Sequence, residues 1–409
     1  MVKINIKTVI LICTLSWSLL YEMREILLGN ATDWVKKINF GILCLFNLSL
    51  LVQMICTKEI KLAYILIFLW MVFLGIVCQN DPRLIILDLF SFMPFLIGLA
   101  AGKSNIKALK SFFSISLIIA CGLVLTDQQN IKDQSVRNLH DFSFSNFASG
   151  ILLLSPILLI QDGNKKNLET GFFVFLNLIS LHCAVLLGNR LGSGLNMICV
   201  CIFLLFNFWR NLYIMIFAAC SLLTFYFTSN NSIIFERLFE RFGIHNFSEE
   251  NFTNERFYEI ELAWTELSEK EKLFGKGFGG TVFKESPLYV EKGFKDVVYK
   301  AHSMYVIMVD QYGEVKGKLL LHSFFGTLAI KGGVLFIVFI IISQAQKIFK
   351  ILANQKTRFR MAINSNSLIV VIYLFACLLG LTPNYSYPLS TFFLGVLFSK
   401  TTSETKKLK

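Results

Sequence analysis

Charged residues are scarce in this chain, and that scarcity decides its class. Only 16% of the 409 residues are charged, whereas 55% are hydrophobic. A soluble domain carries about 25% charged residues, so the composition excludes an ordinary soluble protein. Apolar stretches of about 20 residues, long enough to cross the hydrocarbon core of a bilayer as a helix, recur along the sequence. We therefore predict an integral membrane protein.

Other signals are missing as well. The first apolar stretch has no small-residue cleavage site, so we interpret it as a membrane helix rather than a signal peptide. None of the ten cysteines lies in the longest polar stretch, which argues against a disulfide framework there. No histidine pair has the spacing of a zinc site such as HExxH. Cys199-x-Cys201 has no His or carboxylate neighbour and reads as two small buried hydrophobic residues. We predict no metal and no cofactor.

Twelve apolar segments are candidates for membrane helices. They cover 8–28, 38–57, 61–79, 84–101, 106–126, 144–161, 168–188, 192–208, 211–229, 320–343, 366–382 and 385–399. The first carries Glu22, Arg24 and Glu25 at its far end, and the last is short. The predicted fold class is all-α: a polytopic integral membrane protein with about twelve transmembrane helices and one large extracytoplasmic loop.

The chain divides into three regions. Residues 1–229 hold transmembrane helices 1–9, and residues 320–409 hold helices 10–12 with a basic cytoplasmic tail. Between them, residues 230–319 form the large extracytoplasmic loop. A connection this long is usually functional or disordered, and its many aromatic residues argue against disorder. The stretch 254–272 carries an amphipathic apolar stripe, which predicts a helix in the loop.

The distribution of basic residues predicts the topology. Nineteen Lys and Arg residues fall on the side that carries residue 1, against seven in the short loops of the other side. Because basic residues concentrate on the cytoplasmic side of membrane proteins, both termini are predicted to be cytoplasmic. The formal net charge of +12 then reflects topology and attraction to anionic membrane lipid. It requires no nucleic acid as a partner.

Arg190 is the first candidate for chemistry. It interrupts the apolar sequence LLGNRLGSG at the predicted outer turn between helices 7 and 8. Two interpretations stay open: an interfacial anchor whose charge reaches water, or a guanidinium that holds an anionic phosphate through two parallel hydrogen bonds. Arg137, in a second outer loop at 127–143, matches no motif and is a further candidate for binding substrate.

The large loop contains a second candidate, Arg256. It opens the predicted helix at 254–272, where the helix dipole disfavours a cation. Two explanations for an arginine at this position stay open: Arg256 binds a carboxylate or a phosphate, or its charge is simply solvated. Downstream, Gly275-x-Gly277-x-x-Gly280 matches a dinucleotide fingerprint in form, but no strand precedes it and the loop lies outside the cell. A turn that caps the preceding helix is the interpretation we adopt.

Two histidines are candidates for a general base. The chain has five histidines, at 140, 182, 245, 302 and 322. His302 lies in the large loop, and His322 stands where the chain re-enters the membrane. A histidine in such a place accepts a proton near neutral pH, although an interfacial or solvated ring is the alternative for both. His182 is interpreted as a hydrogen-bonded residue of the helix core.

Taken together, these motifs resemble the O-antigen polymerase and O-antigen ligase superfamily, membrane enzymes that assemble bacterial surface polysaccharides. The matching stretches are Asn189-Arg190, the segment from Arg256 through Gly279, His322-Ser323, and Lys331-Gly332-Gly333. The resemblance covers about residues 140–345 and depends on the order, spacing and shared side of these motifs. His302-Ser303 also fits the histidine motif; we favour His322 because a membrane helix follows it directly.

The resemblance implies a mechanism and partners. The donor would be an oligosaccharide on a polyprenyl diphosphate, and the acceptor a sugar hydroxyl of another lipid-linked glycan. Arg190 and Arg256 would hold the diphosphate, and His322 or His302 would take the proton from the attacking hydroxyl. No cofactor or nucleotide is implied. A flippase and a chain-length regulator are expected partners, and the bacterial inner membrane is the expected location.

Three other functions remain open. A ligase that transfers finished polymer to lipid A core carries the same motifs. We favour a polymerase because no HLHNE-like stretch of the ligases is present. A transporter or flippase for lipid-linked sugars would show repeated halves and charged residues in several helices; we find no such repeats and few such charges. A structural or regulatory membrane protein would use the large loop only for docking.

Overall fold

The computed structural model of the chain describes residues 6–23, 33–104, 106–126, 145–160, 167–187, 190–207, 264, 267–280, 330–339, 342, 368–369, 371–373 and 388–399. These residues are mostly helical, and none of them forms a strand. The predicted helical class is therefore confirmed for this part of the chain.

The helices of the described residues, apart from the one at Glu269–Phe274, each overlap a predicted apolar segment, and the predicted segment 211–229 lies outside the described residues. In chain order they are α1 (Ile6–Glu22), α2 (Asp33–Cys56), α3 (Leu62–Val77), α4 (Pro82–Ser104), α5 (Ile106–Thr126), α6 (Ser145–Leu153), a 3-10 segment (Ser155–Leu159), α7 (Asn167–Leu186), α8 (Arg190–Asn207), α9 (Glu269–Phe274), α10 (Ile330–Phe339) and α11 (Pro388–Ser399). Helices α2, α4, α5 and α7 are long and apolar enough to cross a membrane. Shorter apolar helices include α3, α8, α10 and α11.

Helix α3 shows how the apolar surface is divided. Leu66, Leu69, Phe73 and Ile76 are exposed, each by more than half of its surface, whereas Met71 is fully buried. A soluble protein rarely exposes so continuous an apolar face, and lipid is the solvent that such a face suits. The exposed apolar residues support a membrane protein on grounds independent of helix length.

Helices α1 and α2 pack antiparallel. Trp17 donates its Nε1–H to the carbonyl of Asn39 at 3.1 Å, and the rings of Tyr21 and Phe40 lie 5.9 Å apart. At the opposite end Lys7 forms an ion pair with Glu59, just beyond the end of α2. The two chain directions therefore alternate, as expected for neighbouring membrane spans joined by a short connection.

Helices α4 and α11 pack closely against each other, and glycine makes this approach possible. A Cβ added to Gly98 would lie 3.0 Å from the backbone N of Val396, and one added to Gly395 would lie 3.0 Å from the backbone N of Leu99. Small residues spaced by four allow membrane helices to approach this closely; here they are Gly98 and Gly102. The two helices run parallel, since positions further along α4 meet positions further along α11.

Replacing Gly98 by valine should destabilise the protein by about 1–3 kcal/mol or more, because the added side chain meets backbone atoms that cannot move aside. The control is Gly122→Val in α5, where nothing lies within 4 Å of an added Cβ. Both variants place valine in a membrane helix, so helix propensity cancels. The measurement is the thermal unfolding midpoint in detergent; equal midpoints for the two variants would contradict the close α4–α11 contact.

The acidic end of the first helix has a structural explanation. Glu22 is 6% exposed, and its Oε1 accepts a hydrogen bond from the backbone N–H of Leu389 at 2.6 Å. Leu389 is the second residue of α11, whose first N–H groups have no acceptor within the helix. A carboxylate is also favoured at a helix N-terminus by the helix dipole. Glu22 therefore caps α11.

The predicted span at 144–161 is divided in two. The α-helix ends at Leu153, and a 3-10 segment follows over Ser155–Leu159. The cause is Pro156: it has no N–H to donate to the carbonyl of Leu152 four residues earlier, and its ring obstructs the helix. The interruption releases backbone carbonyls inside the bundle, where each needs a donor.

Side chains of other helices bind the released carbonyls. Leu152 O accepts from Asn196 Nδ2 at 2.9 Å and from Ser180 Oγ at 3.4 Å. Leu153 O accepts from the hydroxyl of Tyr373. The break is thus satisfied by α7, α8 and residue 373, which ties these parts of the chain to α6.

A buried lysine caps the end of the 3-10 segment. Lys110 of α5 is 2% exposed; its Nζ donates to the carbonyl of Ile160 and lies 3.5 Å from that of Leu158. The same Nζ lies 5.7 Å from the ring centroid of Phe173. A cation is favoured at the carbonyl end of a helical segment and over an aromatic face. This lysine therefore joins α5 and α7 to the broken span.

Candidate functional site

The Gly-rich segment, defined here as residues 275–280, follows a short capped helix. Ser268 accepts a hydrogen bond from the backbone N–H of Glu271, and Glu271 reaches back to the backbone N–H of Ser268 at 2.8 Å. This is a capping box, and it starts α9 at Glu269. Gly275, with φ +84°, ends the helix and donates to Glu271 O at 2.6 Å. The predicted capping role of this glycine is confirmed.

The same cap corrects the helix predicted over 254–272. Ser268 has φ −62° and ψ 160°, which is extended backbone, so a single helix does not run through this position. The serine hydroxyl competes for the backbone N–H groups of the following turn and so favours a fresh helix start. The prediction is wrong at its C-terminal end.

The Gly-rich segment enters the bundle beside α3. The backbone N–H of Phe278 donates to the carbonyl of Met71 at 2.9 Å, well inside α3. Asn80, in the turn after α3, donates its Nδ2–H to the carbonyls of Lys276 at 2.7 Å and Phe278 at 2.8 Å. Polar backbone at membrane depth needs protein partners, and these bonds supply them.

Glycine on both sides permits this approach. A Cβ added to Gly277 would lie 2.6 Å from the carbonyl carbon of Leu74 and 2.7 Å from the Cα of Gly75. Gly277 also has φ +71°, in the left-handed region that glycine adopts without strain. The segment therefore lies backbone against backbone on α3.

Phe278 anchors the segment through its ring. The side chain is fully buried and stacks on Phe92 of α4, with ring centroids 5.5 Å apart and an angle of 2° between the planes. It also meets the ring of Phe68 of α3 edge to face at 5.7 Å. Aromatic pairs of this kind contribute about 0.5–1.5 kcal/mol beyond their buried area, so the ring fixes the segment between the two helices.

The start of α10 joins the same place. The backbone N–H of Lys276 donates to Ile330 O at 3.1 Å, and that of Gly277 donates to Lys331 O at 2.9 Å. Two of the sequence motifs, the Gly-rich segment and Lys331-Gly332-Gly333, are therefore in direct contact. Both motifs are visible in the sequence, but their contact is not, because about 50 residues separate them.

A buried carboxylate holds the two motifs to α4. Asp88 is fully buried and Lys331 is 3% exposed. Asp88 Oδ2 forms an ion pair with Lys331 Nζ and accepts the backbone N–H of Gly279 at 2.6 Å. Lys331 Nζ also lies 3.5 Å from the carbonyl of Gly280. An acidic residue in an apolar helix needs a partner, and Lys331 together with the Gly279 N–H supplies it for Asp88.

We call this arrangement the Asp88 joint: Asp88, Lys331 and the Gly-rich segment. Asn80 and Phe278 contribute to it and were not predicted. An asparagine in a turn and a phenylalanine among many carry no signal in the sequence by themselves. Their roles follow from a contact between residues about 200 positions apart, which a local pattern does not encode.

Arg190 is the one predicted site residue whose backbone the structure describes. It is the first residue of α8. Six residues further on, about 9 Å along the axis, Asn196 donates to Leu152 O at 2.9 Å and to Ser180 Oγ at 3.4 Å. These bonds fix the register of α8 against α6 and α7. The start of α8 is therefore held by a buried polar contact one to two turns below it.

The other predicted site residues, Arg137, Arg256, His302 and His322, lie outside the described residues. Among the residues that the structure describes, no group of three or more His, Cys, Asp or Glu side chains is placed to hold a metal ion. Within the Asp88 joint, Asp88 and Lys331 bind each other and the backbone of the Gly-rich segment, so these interactions hold the segment in place.

The fold and the joint define a helical membrane protein in which a segment of the longest polar stretch is inserted between membrane helices. Comparison with protein-family models, with curated proteins and with solved structures finds no match to the chain.

Proposed function

We propose that the chain is a polysaccharide polymerase of the bacterial inner membrane, similar to the O-antigen polymerase and ligase superfamily. It joins oligosaccharide repeat units that are carried on polyprenyl diphosphate, on the outer face of the membrane, into O-antigen or a capsular or extracellular polysaccharide. The proposal includes about twelve spans, cytoplasmic termini and an outer loop at 230–319.

One observation carries the proposal: two motifs of the resemblance, which are separated by about 50 residues in sequence, meet at the Asp88 joint. The Gly-rich segment and Lys331 are joined by a backbone hydrogen bond, which the Gly277 N–H donates to the carbonyl of Lys331 at 2.9 Å. A loop that served only as a docking surface would not require insertion between α3 and α4. The parallel packing of α4 and α11 also agrees with their numbers in the proposed topology, fourth and twelfth, since even-numbered spans run in one direction.

The proposed reaction is a glycosyl transfer. The hydroxyl oxygen of the acceptor sugar bonds to the anomeric carbon of the donor, and the bond from that carbon to the diphosphate oxygen breaks. The diphosphate leaves with the electron pair, and His322 or His302 takes the hydroxyl proton as general base. Arg190 and Arg256, with Arg137 as a further contact, bind the diphosphate and stabilise the charge that develops on it.

A deletion strain profiled for surface glycan tests the function. We expect single repeat units, either lipid-linked or attached to core, in place of a polymer ladder, because each transfer that lengthens the chain is missing. Restoration by the wild-type gene is the control. Full-length polymer stranded on polyprenyl diphosphate would identify a ligase instead, and an unchanged glycan profile would exclude both enzymes.

A further inference from the structure

One carboxylate connects three distant parts of the chain. Asp88 lies on α4, six residues after its start, and Lys331 lies on α10, 243 positions later. Between them in sequence, Gly279 donates its backbone N–H to the same Oδ2 atom at 2.6 Å. Asp88 is thus bound both by the Gly-rich segment and by α10.

Stability alone explains such a pair poorly. Removing two charges from water is expensive, and a buried ion pair is often no more stabilising than apolar side chains of similar size. The surroundings would suit apolar residues, because Phe278, Phe92 and Phe68 pack beside the segment. A carboxylate does offer what an apolar side chain does not, namely an acceptor for the N–H of Gly279.

We infer that Asp88 is a positioning residue of the transfer site: its carboxylate fixes the Gly-rich segment against α4 by accepting the Gly279 N–H, and Lys331 neutralises the charge that this requires. The inference rests on the proposed function. Asp88 touches no reacting atom; it acts through the segment, which lies 19 residues after Arg256 in the chain.

The geometry indicates that Asp88 positions the segment by accepting a hydrogen bond, and that its negative charge is secondary. The Gly-rich segment carries positive φ angles at Gly275, Gly277 and Gly279, of +84°, +71° and +74°. Glycine adopts these angles without strain but also many others, so the observed path of the segment depends on the hydrogen bonds that select it. Asn80 holds the first half of the segment through the carbonyls of Lys276 and Phe278. Asp88 holds Gly279, which lies beyond these carbonyls, through its backbone N–H, so without Asp88 this end of the segment loses its side-chain acceptor.

Two matched double variants, called Asn–Met and Leu–Met after the residues introduced at 88 and 331, separate the role of Asp88 as a hydrogen-bond acceptor from the role of its charge. Asp88→Asn with Lys331→Met removes both charges but keeps a side-chain oxygen for the Gly279 N–H. Asp88→Leu with Lys331→Met removes both charges and the acceptor. Neither variant leaves a buried unpaired charge, the usual reason that single substitutions of such a pair unfold a protein.

Amide hydrogen exchange of the purified full chain in detergent is the first measurement. We expect the Asn–Met variant to retain the slow exchange of residues 275–280, and the Leu–Met variant to exchange there about tenfold faster, because the N–H has lost its acceptor. Peptides from α7 serve as the internal reference and should not change in either variant. In the deletion strain, the Asn–Met variant should restore the polymer ladder and the Leu–Met variant should not.

Two results would overturn the inference. One is wild-type exchange at 275–280 together with a restored ladder in the Leu–Met variant. The other is loss of both properties in the Asn–Met variant with α7 unchanged, since the charge would then be decisive. If the Leu–Met variant unfolds, exchange rises in α7 too, and the Asn–Met variant alone decides. An unaltered glycan profile in the deletion strain would refute the proposed function, while the exchange data would still decide whether Asp88 holds the segment.

Discussion

Replacing Arg190 by alanine should abolish the polymer ladder in the complemented deletion strain while the protein remains in the membrane at its normal level. The proposed role of this arginine is to bind the diphosphate and stabilise its charge as it leaves, and removing one such group costs about 10²–10³-fold in rate. Arg256→Ala should have the same effect. Lysine at either position should restore little, because an ammonium lacks the planar fork that binds two phosphate oxygens.

The controls for these variants are basic residues without the proposed role. Arg210→Ala removes an arginine from the predicted cytoplasmic side, and Lys270→Ala removes an exposed charge from α9. Both should restore a full ladder. Complete rescue by Arg190→Ala or by Arg256→Ala would refute the role assigned to that residue. If the control variants also failed to restore the ladder, the loss would reflect the removal of any basic residue or a lower protein level, and not diphosphate binding.

Replacing Gly277 by alanine should displace the Gly-rich segment from the bundle. The added Cβ meets the backbone of α3 at 2.6 Å from the carbonyl carbon of Leu74, and helix backbone does not yield as a flexible side chain does. The positive φ of +71° adds strain of about 1–2 kcal/mol for any L-residue. Together with overpacking, about 1–3 kcal/mol, the expected destabilisation of the segment is about 2–5 kcal/mol.

The measurement for Gly277→Ala is again the thermal midpoint in detergent, combined with hydrogen exchange of residues 275–280. Gly171→Ala is the matched control: Gly171 lies in α7, and nothing is within 4 Å of an added Cβ. Alanine favours a helix over glycine by about 1 kcal/mol, so this control should melt at or above the wild-type temperature. A Gly277→Ala protein that melts and exchanges like the wild type would contradict the insertion of the segment.

Apolar length and turn chemistry predicted the helices well where the chain obeys local rules. The fifth predicted segment, 106–126, coincides with α5 (Ile106–Thr126). Two departures from the predicted helices have local causes that are visible in the sequence. Pro156 divides the span at 144–161 because it removes a helix donor, and the sequence Ser268-Glu269-Lys270-Glu271 is a capping box that restarts a helix.

The candidate site was predictable only in part, because its contacts are long-range. An acidic residue within an apolar helix signals a partner, so the pairing of Asp88 was foreseeable. The identity of that partner was not, since Lys331 is 243 positions away and several other lysines were equally available. The contact of Phe278 with Met71 O depends on the path of the backbone, and no side-chain pattern encodes it.

The distance in sequence between Asp88 and Lys331 also determines how long Asp88 remains without its partner during translation. Helix α4 is made and enters the membrane before the Gly-rich segment and α10 exist. At about 5–20 residues per second, the 243 residues that separate the two side chains take about 12–50 s to translate. For that interval the Asp88 carboxylate, six residues from the start of α4, has neither Lys331 nor the Gly279 N–H as a partner, and a charge in a membrane helix without a partner is costly unless it reaches water. The last third of the chain therefore completes an arrangement begun in its first quarter, and a nascent chain that ends before Lys331 leaves the Asp88 carboxylate without its lysine partner.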